Sequence, residues 1–140
     1  MKKMLLGACM LGACLSWPLH AETVVIVVHP SNTADISTDE LSRLYLGRTR
    51  TFSNGESAVP INLAENQPMR TVFDEKALSR SSAQLKAYWS KLVFTGKGSP
   101  PQEADTVDEM VKLVATNPSI IGYVPESAAD DRVRIALRLE

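Results

Sequence analysis

Two short clusters hold the side chains whose types and spacing suit chemistry: Ser31, Asn32 and Thr33, and then Glu65, Asn66 and Gln67 with Arg70 three residues on. Hydroxyls, amides and a guanidinium suit the holding of a small oxyanion, since each donates a hydrogen bond and one carries a full positive charge. Both clusters follow a predicted strand, where α/β folds collect small ligands and helix N-termini present unpaired N–H groups. The other reading is local, with Ser31 and Asn66 satisfying their own backbone.

Little else offers catalysis. His29 and His20 are the histidines, and His20 falls in a predicted leader, so His29 would stand alone beside a strand-ending proline. Both cysteines, Cys9 and Cys14, lie in the same leader, which removes thiol nucleophiles and metal sites built from several His and Cys ligands. Gly96 and Gly98 follow a predicted helix and precede Pro100 and Pro101, so the strand-then-helix setting of a dinucleotide loop is missing. The expectation is a protein without enzyme activity, metal or cofactor.

Charge narrows the partners. Residues 22–140 carry 13 basic and 16 acidic side chains, which argues against nucleic acid. The middle is cationic: positions 43–97 sum to +5, while 22–42 and 98–140 each sum to −4. That centre suits attraction of a small anion, or else Lys76, Arg80, Lys86 and Lys91 solvate helix surfaces while Arg48, Arg50 and Arg70 sit in or beside loops.

The first 21 residues read as an export signal: Lys2 and Lys3, an apolar run from Met4 to Leu15, and a small residue, Ala21, at the cleavage position. The expected location is the periplasm, with the mature chain at most peripheral to a membrane. A less favoured variant makes Cys14, after Leu11, a lipidated first residue. The expected organisation is a signal peptide over 1–21 and one domain over 22–140, whose 119 residues suffice for a single core.

The elements that must position the clusters are legible in pattern. Thr23 to Val28 predicts a strand buried on both faces. Ser37 with Glu40 makes a capping box before Leu41, Leu44 and Tyr45, and Gly47 suits a left-handed C-cap. Val59 to Leu63 predicts a strand, with Pro60 near an edge or a strand start. Asn66 is expected to cap a helix with Pro68 in its first turn, placing Met69, Val72 and Phe73 on one side. Ser81 or Ser82 caps another helix, where Leu85, Tyr88, Trp89 and Leu92 read as core. Thr106 with Glu109 opens a helix lined by Val107, Met110, Val111 and Val114, ended by Asn117 and Pro118. Strands over 120–124 and 132–139 follow, with a short one before the last helix. The fold class is α/β, a three-layer sandwich in one domain.

Glu40 to Gly47, Phe52 to Gly55, Phe73 in its helix, and Asn117 to Val124 with its Ile-Gly-Tyr-Val ending together resemble the periplasmic phosphate-binding proteins of ABC transporters, most closely their short single-lobe relatives. The resemblance runs from about Val24 to Val124. It implies a single lobe of the type 2 periplasmic binding protein fold, a phosphate or similar small oxyanion as ligand, and an ABC permease or other envelope protein as partner. It also implies that Leu63, Glu65, Gln67, Pro68 and Met69 occupy positions where that family has Arg, Asp, Ser, Gly and Thr. Leu63 makes no bidentate contact, Met69 has no hydroxyl and Pro68 lacks an N–H. Glu65 remains as an acceptor, and Asn66, Gln67 and Arg70 remain as donors. The alternative the resemblance leaves open is an interaction module that docks a transporter, a sensor or a second copy of itself without tight ligand binding.

Overall fold

The computed structural model describes residues 22–140, so the leader with its cleavage site and Cys14 lies outside the described residues. Strand β1 (Val24–Val28) is buried at all five positions, as its unbroken β-branched run requires. Helix α1 (Thr38–Tyr45) starts at Ser37, whose hydroxyl accepts the Glu40 N–H while Glu40 accepts the Ser37 N–H. Gly47 takes φ +72°, the left-handed position that ends the helix. Strand β2 (Val59–Leu63) follows, then α2 (Pro68–Leu78), α3 (Ser82–Phe94), β3 (Gln102–Ala104), α4 (Val107–Thr116), β4 (Ile120–Pro125), a short 3-10 turn and β5 (Arg134–Leu139).

The five strands lie in the order β3-β2-β4-β1-β5. β2 runs parallel to β3 and β4, whereas β1 runs antiparallel to both β4 and β5. That direction decides where loops emerge. Val28, the last residue of β1, pairs with Ile121, next to the Ile120 that pairs with the first residue of β2. The chain after β1 therefore leaves the sheet where β2 enters, at the end opposite the β2–α2 turn.

Helices cover both faces. Gly122 of β4 lies against Met110 and Val114 of α4, while its neighbour Tyr123 points the other way, stacking on Phe73 of α2 and edge-on to Tyr45 of α1. This is the three-layer α/β arrangement expected. β2 and β4 pair directly only at Val59 and Pro60, and hydroxyls serve the backbone beyond. Tyr45 donates to Ile61 O at 2.8 Å and lies 3.2 Å from Ile121 O; Tyr123 accepts the Leu63 N–H and donates to Asn62 Oδ1. Burial raises both phenols well above the ordinary tyrosine value, so both stay neutral donors.

Three local expectations change. Gln67, not Asn66, is the N-cap of α2, and its side chain makes no capping bond. Pro60 sits at the strand start as anticipated, but β2 is interior and β3 forms the edge; β2 tolerates proline because its pairing passes from β4 to β3 after that residue. Arg132 belongs to a turn closed by Asp130, so β5 begins at Arg134. The core assignment for α3 fails most. Only Leu85 is buried, Tyr88 and Trp89 are half-buried, and Phe94 is 93% exposed, because this helix rides on the rim and not on the sheet. None of the described helices is long and apolar enough to cross a membrane.

Candidate functional site

Leu63 ends β2, and the chain turns through Ala64, whose N–H donates to Ala104 O, into Gln67, whose N–H donates back to Ala64 O. Pro68 occupies the first helical position, where its missing N–H is tolerated. The Met69 N–H finds no acceptor among the described residues, while the Arg70 N–H is taken by Gln67 O. The Met69 amide is thus left open in the first turn, and Pro68 supplies no donor there.

The side chains there are largely engaged with one another. Gln67 Nε2 donates to Asp105 O at 2.8 Å, tying α2 to the start of α4. Arg70 donates from Nε to Asp74 at 3.2 Å and from Nη1 to Leu63 O at 2.9 Å and Glu103 Oε2 at 2.7 Å. Burial alone would lower its pKa, but the Glu103 hydrogen bond and the Asp74 charge outweigh that and raise it. Asp74 is nearly fully buried, and burial pushes its carboxyl above the usual value despite the opposing pull of Arg70. Glu65 reaches across to α3, 3.6 Å from Lys86 Nζ. Asn66 stays exposed.

Between α3 and this turn opens a groove of about 710 Å3 whose wall includes Asn62, Glu65, Arg70, Ser82, Lys86 and Glu103. It is the hollow beside the sheet that a small ligand needs. Its charges are mixed, with two carboxylates against one guanidinium and one ammonium, so an anion entering it competes with protein partners already in place.

The first cluster does not join the second, because β1 runs antiparallel to β2. Ser31 donates its N–H to His29 Nδ1 at 3.1 Å. Asn32 is buried, its Oδ1 accepts the Ala34 N–H, and its Nδ2 has no partner among the described residues. Arg134 holds that loop by donating to Asn32 O and Ala34 O. Thr33 is exposed. Asn32 Oδ1 serves its own backbone, whereas the Ser31 hydroxyl pairs with His29 Nδ1 at 2.8 Å. The two loops lie at opposite ends of the sheet and form no common site; of the second cluster Glu65 and Arg70 line the groove, Gln67 turns to Asp105 and Asn66 is exposed.

Glu103, Asp74 and Lys86 complete the cluster; the sequence singled out neither carboxylate and named Lys86 only as part of the cationic centre. Asp74 lies one helical turn after Arg70 and was open to an i, i+4 reading. Glu103 was not, since its approach depends on β3 pairing with β2 across about forty residues. Among the described residues no group of three or more His, Cys, Asp or Glu is placed to hold a metal.

No protein-family profile and no curated protein matches the sequence. Solved structures match in fold. An ABC-type phosphate transport receptor from Vibrio cholerae superposes with TM-score 0.64 at 14% identity, over 81% of this chain and 45% of that one. A putative phosphate ABC transporter substrate-binding protein from Clostridium perfringens, with phosphate bound, gives TM-score 0.64 at 19% identity, over 81% and 44%. PstS from Borrelia burgdorferi gives 0.55 at 9%, over 75% and 41%. The chain spans less than half of each. What it shares with them is the architecture of one lobe.

Proposed function

We propose that this chain is a periplasmic, lobe-sized solute-binding module that takes a phosphate-like oxyanion in the groove between α3 and the β2–α2 turn. The observation that supports it is the groove itself, open beside the sheet and bordered by Arg70, Lys86 and the Ser82 hydroxyl, with the free Met69 amide in the adjoining turn. Glu65 lines it, and Asn66 and Gln67 follow in the same turn. An oxyanion there replaces water on Lys86 and Met69 and shares Arg70 with Glu103.

Magnitudes place the affinity low. In a wet groove a charge pair at 4 Å is worth about 1 to 4 kcal/mol, against far more in a sealed cleft. Two such contacts less the cost of displacing Glu103 leave about 4 kcal/mol, which corresponds to a Kd near 1 mM. The solved neighbours are described as transport receptors and substrate-binding proteins, which favours binding over catalysis and an ABC permease as the protein partner.

Calorimetric titration of residues 22–140 with phosphate, sulfate and pyrophosphate tests the proposal. Saturable heat in the millimolar range is expected, with a melting rise of about 5 °C at ten times Kd. The absence of both heat and a melting shift at millimolar ligand would rule out oxyanion binding.

A second reading is favoured by one observation. Phe94 is 93% exposed and Val93 is 54% exposed at the end of α3, a pair of large apolar side chains left open beside the groove. Under this reading the chain docks an envelope protein through α3. Photo-crosslinking from position 94 in the periplasm should then trap a discrete partner, and an absence of adducts would count against docking.

A further inference from the structure

We infer that a second groove, between the loop over 46–50 and the loop over 97–102, docks an acidic segment of a partner protein bearing an apolar side chain. It rests on the docking reading above and names the chemistry of the partner. The groove holds about 560 Å3, and Arg48, Arg50 and Lys97 stand around a floor that includes Trp89, Pro100 and Pro101. None of its lining side chains is acidic. That separates it from the groove beside α2, where Glu65 and Glu103 face the cations.

The three cations are exposed, and among the described residues none enters an ion pair. Three unpaired like charges around one hollow repel one another, and an anionic occupant relieves that repulsion. Their backbones are fixed. The Arg48 N–H donates to Arg43 O, Arg50 O accepts the Ala58 N–H, and the Lys97 N–H donates to Leu92 O, which closes the C-terminus of α3.

Trp89 is held in place from beneath. A Cβ at Gly47 would lie 3.2 Å from the Trp89 ring, and one at Gly98 3.9 Å from it, so both glycines admit the indole close to the backbone. Tyr88, beside it, donates to Leu46 O at 2.6 Å and locks α3 to the first loop. A rigid tryptophan ringed by arginines is the composition that concentrates binding energy in protein interfaces. Inorganic phosphate satisfies the cations but leaves the apolar floor wet, whereas an acidic segment with one leucine or phenylalanine answers both.

Trp89 is the only tryptophan in residues 22–140 and lines both grooves, so its emission reports occupancy and variants at Arg48 and Arg50 assign that occupancy to this groove. The test titrates that chain with a synthetic peptide of aspartates and glutamates around a central phenylalanine, at low and physiological salt. A saturable emission change is expected, weakening as salt rises. An Arg48→Glu/Arg50→Glu double variant of unchanged melting temperature should bind about tenfold or more weakly, while Lys76→Glu, exposed on α2 and outside the groove, should bind as the parent does. Three results would overturn the inference: equal binding of the peptide with Asn and Gln in place of its acids, the same emission change from inorganic phosphate alone that the double variant abolishes, or self-association in sedimentation that the double variant abolishes. The crosslink from position 94 reports on docking as such, so its failure is distinguishable from failure of this groove.

Discussion

Glu103 accepts a hydrogen bond from Arg70 at 2.7 Å, from one strand edge to the first turn of the neighbouring helix, so the guanidinium beside the groove is held by a carboxylate before any ligand arrives. Arg70 is 14% exposed and Glu103 44%, which places this pair at the boundary between core and water.

Removing that competitor should strengthen anion binding. Glu103→Gln keeps a hydrogen-bond acceptor for Arg70 but deletes the charge. Since pairs of this exposure are worth at most about 1 kcal/mol, phosphate affinity should rise up to about fivefold with little change in melting temperature. Calorimetry on parent and variant side by side decides it, and an unchanged or weaker affinity would separate Arg70 from the ligand.

Asp74 sets a pH dependence whose sign follows from burial. Its folded pKa is raised, so the folded chain takes up this proton more readily than the unfolded one. Its contribution to stability is therefore fully present below the unfolded pKa and is lost as pH rises through the folded one. Asp74→Asn should leave stability at pH 7 equal or higher by about 1 kcal/mol or less, and should remove that part of the gain on acidification. Urea unfolding of both proteins at pH 7 and pH 4 measures the difference. A strongly destabilised variant at pH 7 would mean that the Arg70 attraction wins.

The Tyr123 hydroxyl accepts the Leu63 N–H at 3.1 Å in the core. Tyr123→Phe keeps the stack on Phe73 but orphans that buried donor, so a loss of about 1 to 3 kcal/mol is expected in equilibrium unfolding. A loss below about 0.5 kcal/mol would imply that water reaches β2 there.

Gly122 explains a glycine in the Ile-Gly-Tyr-Val run. A Cβ there would sit 2.4 Å from Met110 Sδ and 3.2 Å from a Val114 methyl, so α4 packs on the sheet only without it. Gly122→Ala should destabilise by about 1 to 3 kcal/mol, and Met110→Val in the same chain should recover part of this. Additive losses in the double variant would show that the strain lies elsewhere.

These residues also mark how far the sequence could be read. The order of elements, the Ser37 and Ser81 caps and the buried faces of α1 and α4 were legible because each rests on periodicity or on contacts within one turn. The site was half legible. Gln67 and Arg70 were placed correctly after β2, but their engagement by Asp105 and Glu103 depends on pairing distant in sequence. That the Ser31 loop lies at the other end of the sheet from Arg70 was not legible, because strand direction is invisible in an apolar run. Trp89 misled for a related reason: helical spacing shows that a stripe exists, not what it packs against.

The most direct test of oxyanion binding is a phosphate titration of 15N-labelled residues 22–140 followed by amide chemical shifts. The account predicts saturable shifts centred on Met69 and Arg70, spreading to Ser82 and Lys86 across the groove. Shifts confined to Arg48, Arg50 and Gly98, or none at millimolar phosphate, would contradict it.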